Sequence, residues 1–285
     1  MYFGAHVSIA GGIFNAPLNA AKIGAEVFQI FTRSPRGGGS PPITPDFARL
    51  FKENCALSGI PAWYVHTPYY INFASSTPRI QHGSASAVRE ELERASAIGA
   101  QCVMTHLGSY GDTGHDQGLL QTVEGLAKTL KGYKGSSEFL IEISAGAGDV
   151  IGGTFENVAE IIFHPLLKKY PIGICFDTQH AFASGYDLRT PGDVAKTFEK
   201  FDSVIGLERL KVFHCNDSKI PFGGQRDRHE HIGKGQIGIS GFEALFAHPK
   251  LQNLNFILET EHDLVVEDIK LLKKIREKIK QQPAT

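Results

Sequence analysis

Residues 171–188 read P-I-G-I-C-F-D-T-Q-H-A-F-A-S-G-Y-D-L. Ile172-Gly173-Ile174-Cys175-Phe176 suits a strand buried on both faces. Where that strand should end stand Asp177 and His180, an oxygen and an imidazole nitrogen on one turn. Alone the pair has a plainer reading, since Asp caps helical turns and His often satisfies a buried hydrogen bond. The pattern gains meaning because it recurs along the chain.

Seven further short apolar runs follow the same design: 2–7, 27–32, 62–66, 102–106, 139–143, 210–214 and 255–259. Segments of helical period lie between them. Residues 84–98 set Ala87, Val88, Leu92 and Ala95 on one face, and 264–280 repeats Val265, Ile269, Leu272 and Ile275. Eight strand–helix alternations with strands apolar on both faces predict an α/β protein: a parallel sheet closed into a (β/α)8 TIM barrel. No linker divides the chain, so one domain is expected over 1–280, with 281–285 as a flexible tail. Three connections are long: 33–45, rich in Gly and Pro; 67–83, polar and aromatic; and 215–238. In a barrel such loops gather at the C-terminal mouth and carry function.

The 285 residues are 42% hydrophobic and 21% charged, an ordinary composition for a chain with a substantial core. No run of about 18 apolar residues predicts a membrane span, and the first residues enter a strand without a basic-then-apolar leader. The cytoplasm is the expected compartment, close to the nucleoid. Cys55, Cys102, Cys175 and Cys215 lack C-x-x-C spacing and read as buried free thiols. A net charge of −1 argues mildly against nucleic acid, but three divalent ions would move it to about +5, concentrated at one site.

At or just past the ends of the third to eighth runs stand His66, His106, Glu142, Asp177 with His180, His214 and Glu259. His6 ends the first run, and Arg226-Asp227-Arg228-His229-Glu230-His231 lies in the loop after the seventh. A barrel brings all strand ends to one mouth. Carboxylates buried together there would repel unless cations neutralised them, so a multi-metal site is the leading reading.

The pieces G-A-H-V-S-I-A-G-G (4–12), V-H-T-P-Y-Y-I-N (65–72), T-H-L-G-S (105–109), F-D-T-Q-H-A-F-A-S-G-Y-D (176–187), F-H-C-N-D-S-K (213–219), R-D-R-H-E-H-I-G-K-G (226–235) and I-L-E-T (257–260) resemble endonuclease IV. That is the zinc-dependent AP endonuclease family of the xylose isomerase-like TIM barrels. The resemblance spans nearly the whole chain in order. It implies three clustered metals: one on His66, His106 and Glu142; a second on Glu142, Asp177, His214 and Glu259; a third on His180, Asp227 and His229. Nitrogen and oxygen ligands with five imidazoles favour zinc, with manganese or iron as alternatives. Glu142, His106, Asp177 and Glu259 would be the catalytic members around a hydroxide bridging two metals, which attacks phosphorus in line.

The substrate implied is double-stranded DNA with an abasic site. It would be cut on the 5′ side to leave a 3′-hydroxyl and a 5′-deoxyribose phosphate, with cleaning of 3′-blocked ends as a second activity. Arg36, Tyr69 and Tyr70 align with family positions that penetrate the duplex, and Lys219, Arg226, Arg228 and Lys234 are expected phosphate contacts. His6 and His231 are expected behind the ligands. A monomer is expected.

Two departures stand out. Ile143 and Ala147 occupy positions where the family usually has Asn and Gln, and Gly37-Gly38-Gly39 makes a loose loop without the usual Trp after Arg36. Both put rate and lesion specificity in question. His164 and His248 precede prolines and read as helix-ending turns, while His82, His115 and His262 read as loop residues. The rival reading is a sugar isomerase or epimerase of the same barrel type. Glu142, Asp177, His214 and Glu259 alone would suit it, but His66, His106, His180, Asp227 and His229 would have no task there. A damage-binding protein without catalysis would not need a complete ligand set.

Overall fold

The barrel strands begin where β-branched and aromatic residues cluster. They are β1 (Phe3–His6), β2 (Val27–Ile30), β3 (Trp63–His66), β4 (Cys102–Thr105), β5 (Glu138–Glu142), β6 (Ile172–Asp177) and β7 (Leu210–His214); the closing strand is Asn255–Leu258. The computed structural model describes residues 1–39 and 41–281, with backbone alone at 112. Neighbouring strands pair in parallel all the way round, and the closing strand bonds both β7 and β1. The expected barrel is present, each strand within two residues of its predicted bounds. Apart from Gln281 the expected tail lies outside the described residues.

The helices are α1 (Ala16–Lys22), α2 (Pro45–Leu57), α3 (Pro78–Ile98), α4 (His115–Leu130), α5 (Phe155–Ile162), α6 (Thr178–Ala183), α7 (Pro191–Val204), α8 (Gly238–Ala247) and α9 (Val265–Lys280). Several starts are written locally. Thr44, Thr154 and Thr190 each accept a hydrogen bond from the backbone N–H three residues on, and Pro45 and Pro191 occupy first-turn positions that need no donor.

The same Thr-Pro signal at Thr77-Pro78 starts α3 six residues before the predicted Ser84. His82 is therefore helical, not a loop residue, because an exposed Gly83 with open space around it did not stop the helix. His115 likewise opens α4. Among the described residues no helix is long and apolar enough to cross a membrane.

The loop 215–238 contains structure the periodicity did not show. Two short strands, β8 (Asp217–Ser218) and β9 (His229–Glu230), pair antiparallel with Ser218 opposite His229, so the closing strand becomes β10. The core has two parts. Val27, Tyr64, Met104, Leu140, Cys175, Val212 and Ile257 fill the barrel interior, while a larger apolar shell packs strands against helices. All four cysteines are buried and unpaired, as expected.

Candidate metal centre

Side chains on one face of a strand repeat every second residue. Two positions beyond the interior layer, towards the mouth, the same inward face carries Gln29, His66, His106, Glu142, Asp177, His214 and Glu259. The ring is the next layer of the barrel, with polar residues in place of apolar ones. His6 joins it from β1, two residues past Gly4. A Cβ at Gly4 would sit 1.7 Å from the Val27 carbonyl oxygen, so only glycine allows β1 to pass that close.

Three groups of potential ligand atoms converge: His66, His106 and Glu142; Glu142, Asp177, His214 and Glu259; and Asp177, His180 and His229. Glu142 is fully buried and joins the first two. Its Oε2 lies 2.9 Å from His66 Nε2 and 3.5 Å from His106 Nε2, and its Oε1 lies 2.9 Å from His214 Nδ1 and 3.3 Å from His180 Nδ1. His214 Nδ1 is also 3.2 Å from Glu259 Oε2. Asp177 does two things at once. Its Oδ1 caps α6 by accepting the His180 N–H at 2.8 Å, while its Oδ2 lies 3.6 Å from His229 Nε2. Asp227 Oδ1 stands 3.3 Å from both His180 Nε2 and His229 Nε2. All nine residues expected as ligands thus meet at one place.

The donor set fits divalent metal on an observation independent of ligand counting. The Nε2 atoms of His180 and His229 are buried and share a single carboxylate oxygen, Asp227 Oδ1, 3.3 Å from each. His180 Nδ1 lies 3.0 Å from the Ile143 carbonyl, which leaves Nε2 to face Asp227. Two buried imidazole nitrogens crowded on one carboxylate oxygen are poorly satisfied, and coordination to a cation would remove that cost.

Within the ring the carboxylates favour the charged form of several imidazoles against the effect of burial. Burial works against the charged form of His180, but the charge of Asp177 and hydrogen bonds to Asp227 and Glu142 raise it well above the usual imidazole value. His66 is also raised, through Glu142, against its burial. For His214 burial again opposes. Cys175, Glu259 and Glu142 favour the charged ring, and the carboxylates carry the effect because burial pushes the Cys175 thiol up to about 12 and keeps it neutral. Glu142 overcomes its own burial and is held well below the usual carboxylate value by His106 and His214 and by hydrogen bonds from His180 and His214.

Behind the ring lie residues the sequence reading passed over. Asn216 Nδ2 donates to Asp177 Oδ2 at 2.7 Å, and its Oδ1 accepts the Glu259 N–H at 2.8 Å. Gln179 brackets Asp227, donating to the Arg226 carbonyl and accepting from the Arg228 N–H. The Asp217 carboxylate, wholly buried, accepts backbone N–H groups of Ser218, Gly233, Gly235, Ile237 and Gly238, and so shapes the hairpin loop. The signal for these residues was present as polar positions inside apolar strand ends, but only His, Asp and Glu were counted as ligand types.

Of the two histidines expected behind the ligands, His6 bonds to Gln29, and burial lowers its pKa to about 3, so it is neutral. His231 is held by Asp268 at 2.7 Å and by Asp263 at 3.2 Å. Asp268 also accepts from Thr260 and from the Ile232 N–H, tying the segment after Glu259 to the segment after His229.

Every residue expected to touch DNA is exposed on a mouth loop: Arg36, Tyr69, Tyr70, Lys219, Arg226, Arg228 and Lys234. A cavity of about 450 Å³ over the clustered ligands is walled by Tyr69, Lys219, Arg228 and Glu261. Beside it a second cavity of about 470 Å³ shares Tyr69, His106, His180 and Asp227 and reaches Ala147. The side chain of Ile143 is buried in the apolar shell.

The glycine loop is held at both ends. Arg33 pairs with Glu91 and with Glu90, and Arg94 donates to the Thr32 and Pro41 carbonyls. Gly37 and Gly38 have φ of +99° and +106°, a backbone path that glycine alone takes readily.

Barrel and ring together define a TIM barrel with a His/Asp/Glu cluster able to bind metal at its mouth, and the family model described as "Xylose isomerase-like TIM barrel" matches residues 17–280. A relative named "Probable endonuclease 4" from Chlorobium phaeobacteroides is 39% identical over 279 residues, covering 97% of this chain and 98% of its own. The chain belongs to the endonuclease IV family of AP endonucleases, DNA-hydrolysing enzymes of repair. The crystal structure of endonuclease IV from Thermus thermophilus superposes with a TM-score of 0.85 at 29% identity, covering 99% of both chains. A D-tagatose 3-epimerase-like protein gives 0.76 at 21% identity over the full length of both, a likeness of fold alone.

Proposed function

We propose that this chain incises duplex DNA on the 5′ side of abasic sites, leaving a 3′-hydroxyl and a 5′-deoxyribose phosphate, and clears 3′-blocked ends by the same hydrolysis. One observation carries the reading. A buried carboxylate, Glu142, stands among four imidazoles, beside two further buried imidazole nitrogens that share one oxygen of Asp227. The ligand sets are His66, His106 and Glu142; Glu142, Asp177, His214 and Glu259; and His180, Asp227 and His229. Three zinc ions there, or manganese or iron at some positions, would supply Lewis acidity and make hydroxide available at neutral pH.

The chain's own residues do the rest. Glu142 spans the first two sets and fixes their separation. Asp227 and His229, on the hairpin loop, complete the third set from above. Lys219, Arg226, Arg228 and Lys234 neutralise phosphates, and Arg36, Tyr69 and Tyr70 enter the duplex where stacking is already lost. The two adjoining cavities give an extruded residue and its neighbour somewhere to sit. Burial keeps the Cys175 thiol protonated, in line with a reaction that uses no cysteine nucleophile. The enzyme acts as a cytoplasmic monomer at the nucleoid.

The test is a 5′-end-labelled duplex with one abasic analogue, incubated with the zinc-loaded protein. The expected outcome is a single product, cut 5′ to the lesion, whose end a polymerase extends without further treatment. A product cut on the 3′ side, or no product, overturns the reading. A second duplex with a 3′-phosphate tests end cleaning.

A further inference from the structure

Gln29 lies wholly buried in β2, two residues past Val27 on the inward face, level with the clustered ligands. Its Oε1 is 2.8 Å from His214 Nε2, and its Nε2 is 2.7 Å from Glu259 Oε1 and 3.1 Å from His6 Nδ1. Chemistry fixes which way the amide points. A carboxylate only accepts, so the nitrogen must face Glu259 and the oxygen His214.

Two consequences follow at the opposite ends of the partners. An amide oxygen requires a proton on His214 Nε2, so the lone pair of the neutral ring resides on Nδ1. That is the atom turned towards Glu142 and Glu259, at 2.9 and 3.2 Å. The same amide occupies Glu259 Oε1 and leaves Oε2 as the atom beside His214 Nδ1. Packing alone does not account for this residue. A methionine would fill the volume without a polar group to satisfy, whereas both amide hydrogens and the oxygen are used here.

We infer that Gln29 is a positioning residue of the metal centre, which selects His214 Nδ1 and Glu259 Oε2 as the atoms presented to the metal they share. The inference rests on the ligand assignment proposed above. His6, its ring tilted against Phe31 with centroids 4.3 Å apart, acts through Gln29 by holding the amide's second hydrogen.

The test is zinc competition against a chromophoric chelator at pH 7.5, with the full-length wild type, Gln29→Met and Gln29→Glu. The wild type should hold three zinc ions per chain. Gln29→Met should weaken one of them by about 10–100-fold and leave two within threefold. Gln29→Glu keeps the acceptor for His214 but sets a carboxyl against Glu259. Its weakened zinc should tighten relative to wild type between pH 8 and pH 6, as the introduced carboxyl takes up the proton that restores the bond.

Equal affinities for all zinc ions in wild type and Gln29→Met overturn the inference and leave the metal centre standing. A wild type that binds no zinc overturns both. If Gln29→Met fails to fold, Gln29→Glu decides, and wild-type affinities at both pH values overturn the inference.

Discussion

Replacing Glu142 by Gln removes one charge from the most connected point of the molecule and changes almost no volume. The carboxylate makes two close contacts, His66 Nε2 and His214 Nδ1, both at 2.9 Å, on opposite oxygens. A hydrogen bond to a charged group contributes about 1.5–3 kcal/mol, and a ligand bond through the same atom at least as much. An amide keeps one acceptor oxygen and turns an N–H towards the other side, so both arms are weakened. Losing about 3–6 kcal/mol of transition-state stabilisation, at 1.36 kcal/mol per factor of ten, lowers kcat/KM by about 10²–10⁴. Single-turnover incision of an abasic duplex measures that fall, and elemental analysis of the same sample should show at least one fewer zinc than wild type. An E142Q protein with full zinc and a rate within threefold of wild type would refute the reasoning, because neither bridge nor charge would then matter.

Raised imidazoles make zinc uptake a proton-releasing event. The carboxylates around them favour the charged forms of His180 and His214 strongly and that of His66 to a lesser degree, so zinc binding near neutral pH should release protons into a weakly buffered solution, and affinity should fall about tenfold per pH unit for each proton displaced on acidification. The sign for folding follows. These groups stabilise the metal-free protein below about pH 6.5 and lose that contribution as pH rises through their raised values, so its melting temperature should fall with alkalinity while that of the zinc-loaded protein rises. Glu91→Ala removes the buried partner of Arg33, leaves it only the half-exposed Glu90, and should cost about 1–3 kcal/mol in urea unfolding, whereas Glu93→Ala, which breaks an exposed pair with Arg89, should stay within about 0.5 kcal/mol. Asp217→Ala strips the acceptor from five backbone N–H groups and should cost roughly 3 kcal/mol, with hydrogen exchange fastest at residues 233–238 and little change in the strands.

The barrel was legible because its strands are short apolar runs with polar punctuation, a pattern that survives any single ambiguous residue. The residues of the cluster were legible because His, Asp and Glu at strand ends are costly residues to bury and so stand out. Gln29 and Asn216 were not. An amide carries no charge, so nothing in the sequence separates one that orients a ligand from one that fills a strand end. The period-2 rule would have found Gln29, since Val27 and Gln29 share a face with Tyr64 and His66 on the next strand. The hairpin of β8 and β9 was hidden for another reason. Two-residue strands have no periodicity, and their register is set by Asp217 reaching residues up to 21 positions away. The α3 start was hidden because its first turns, residues 78–83, bury no side chain, so no apolar periodicity marks the helix ahead of Ser84.

The central claim, that nine side chains at the barrel mouth hold three metal ions, is tested most directly by anomalous scattering at the zinc edge from crystals of the zinc-loaded protein. The account predicts three peaks: between His66, His106 and Glu142; between Glu142, Asp177, His214 and Glu259; and between His180, Asp227 and His229. A single peak on Glu142, Asp177, His214 and Glu259, with His180 and His229 uncoordinated, would contradict it and leave one metal on those four residues.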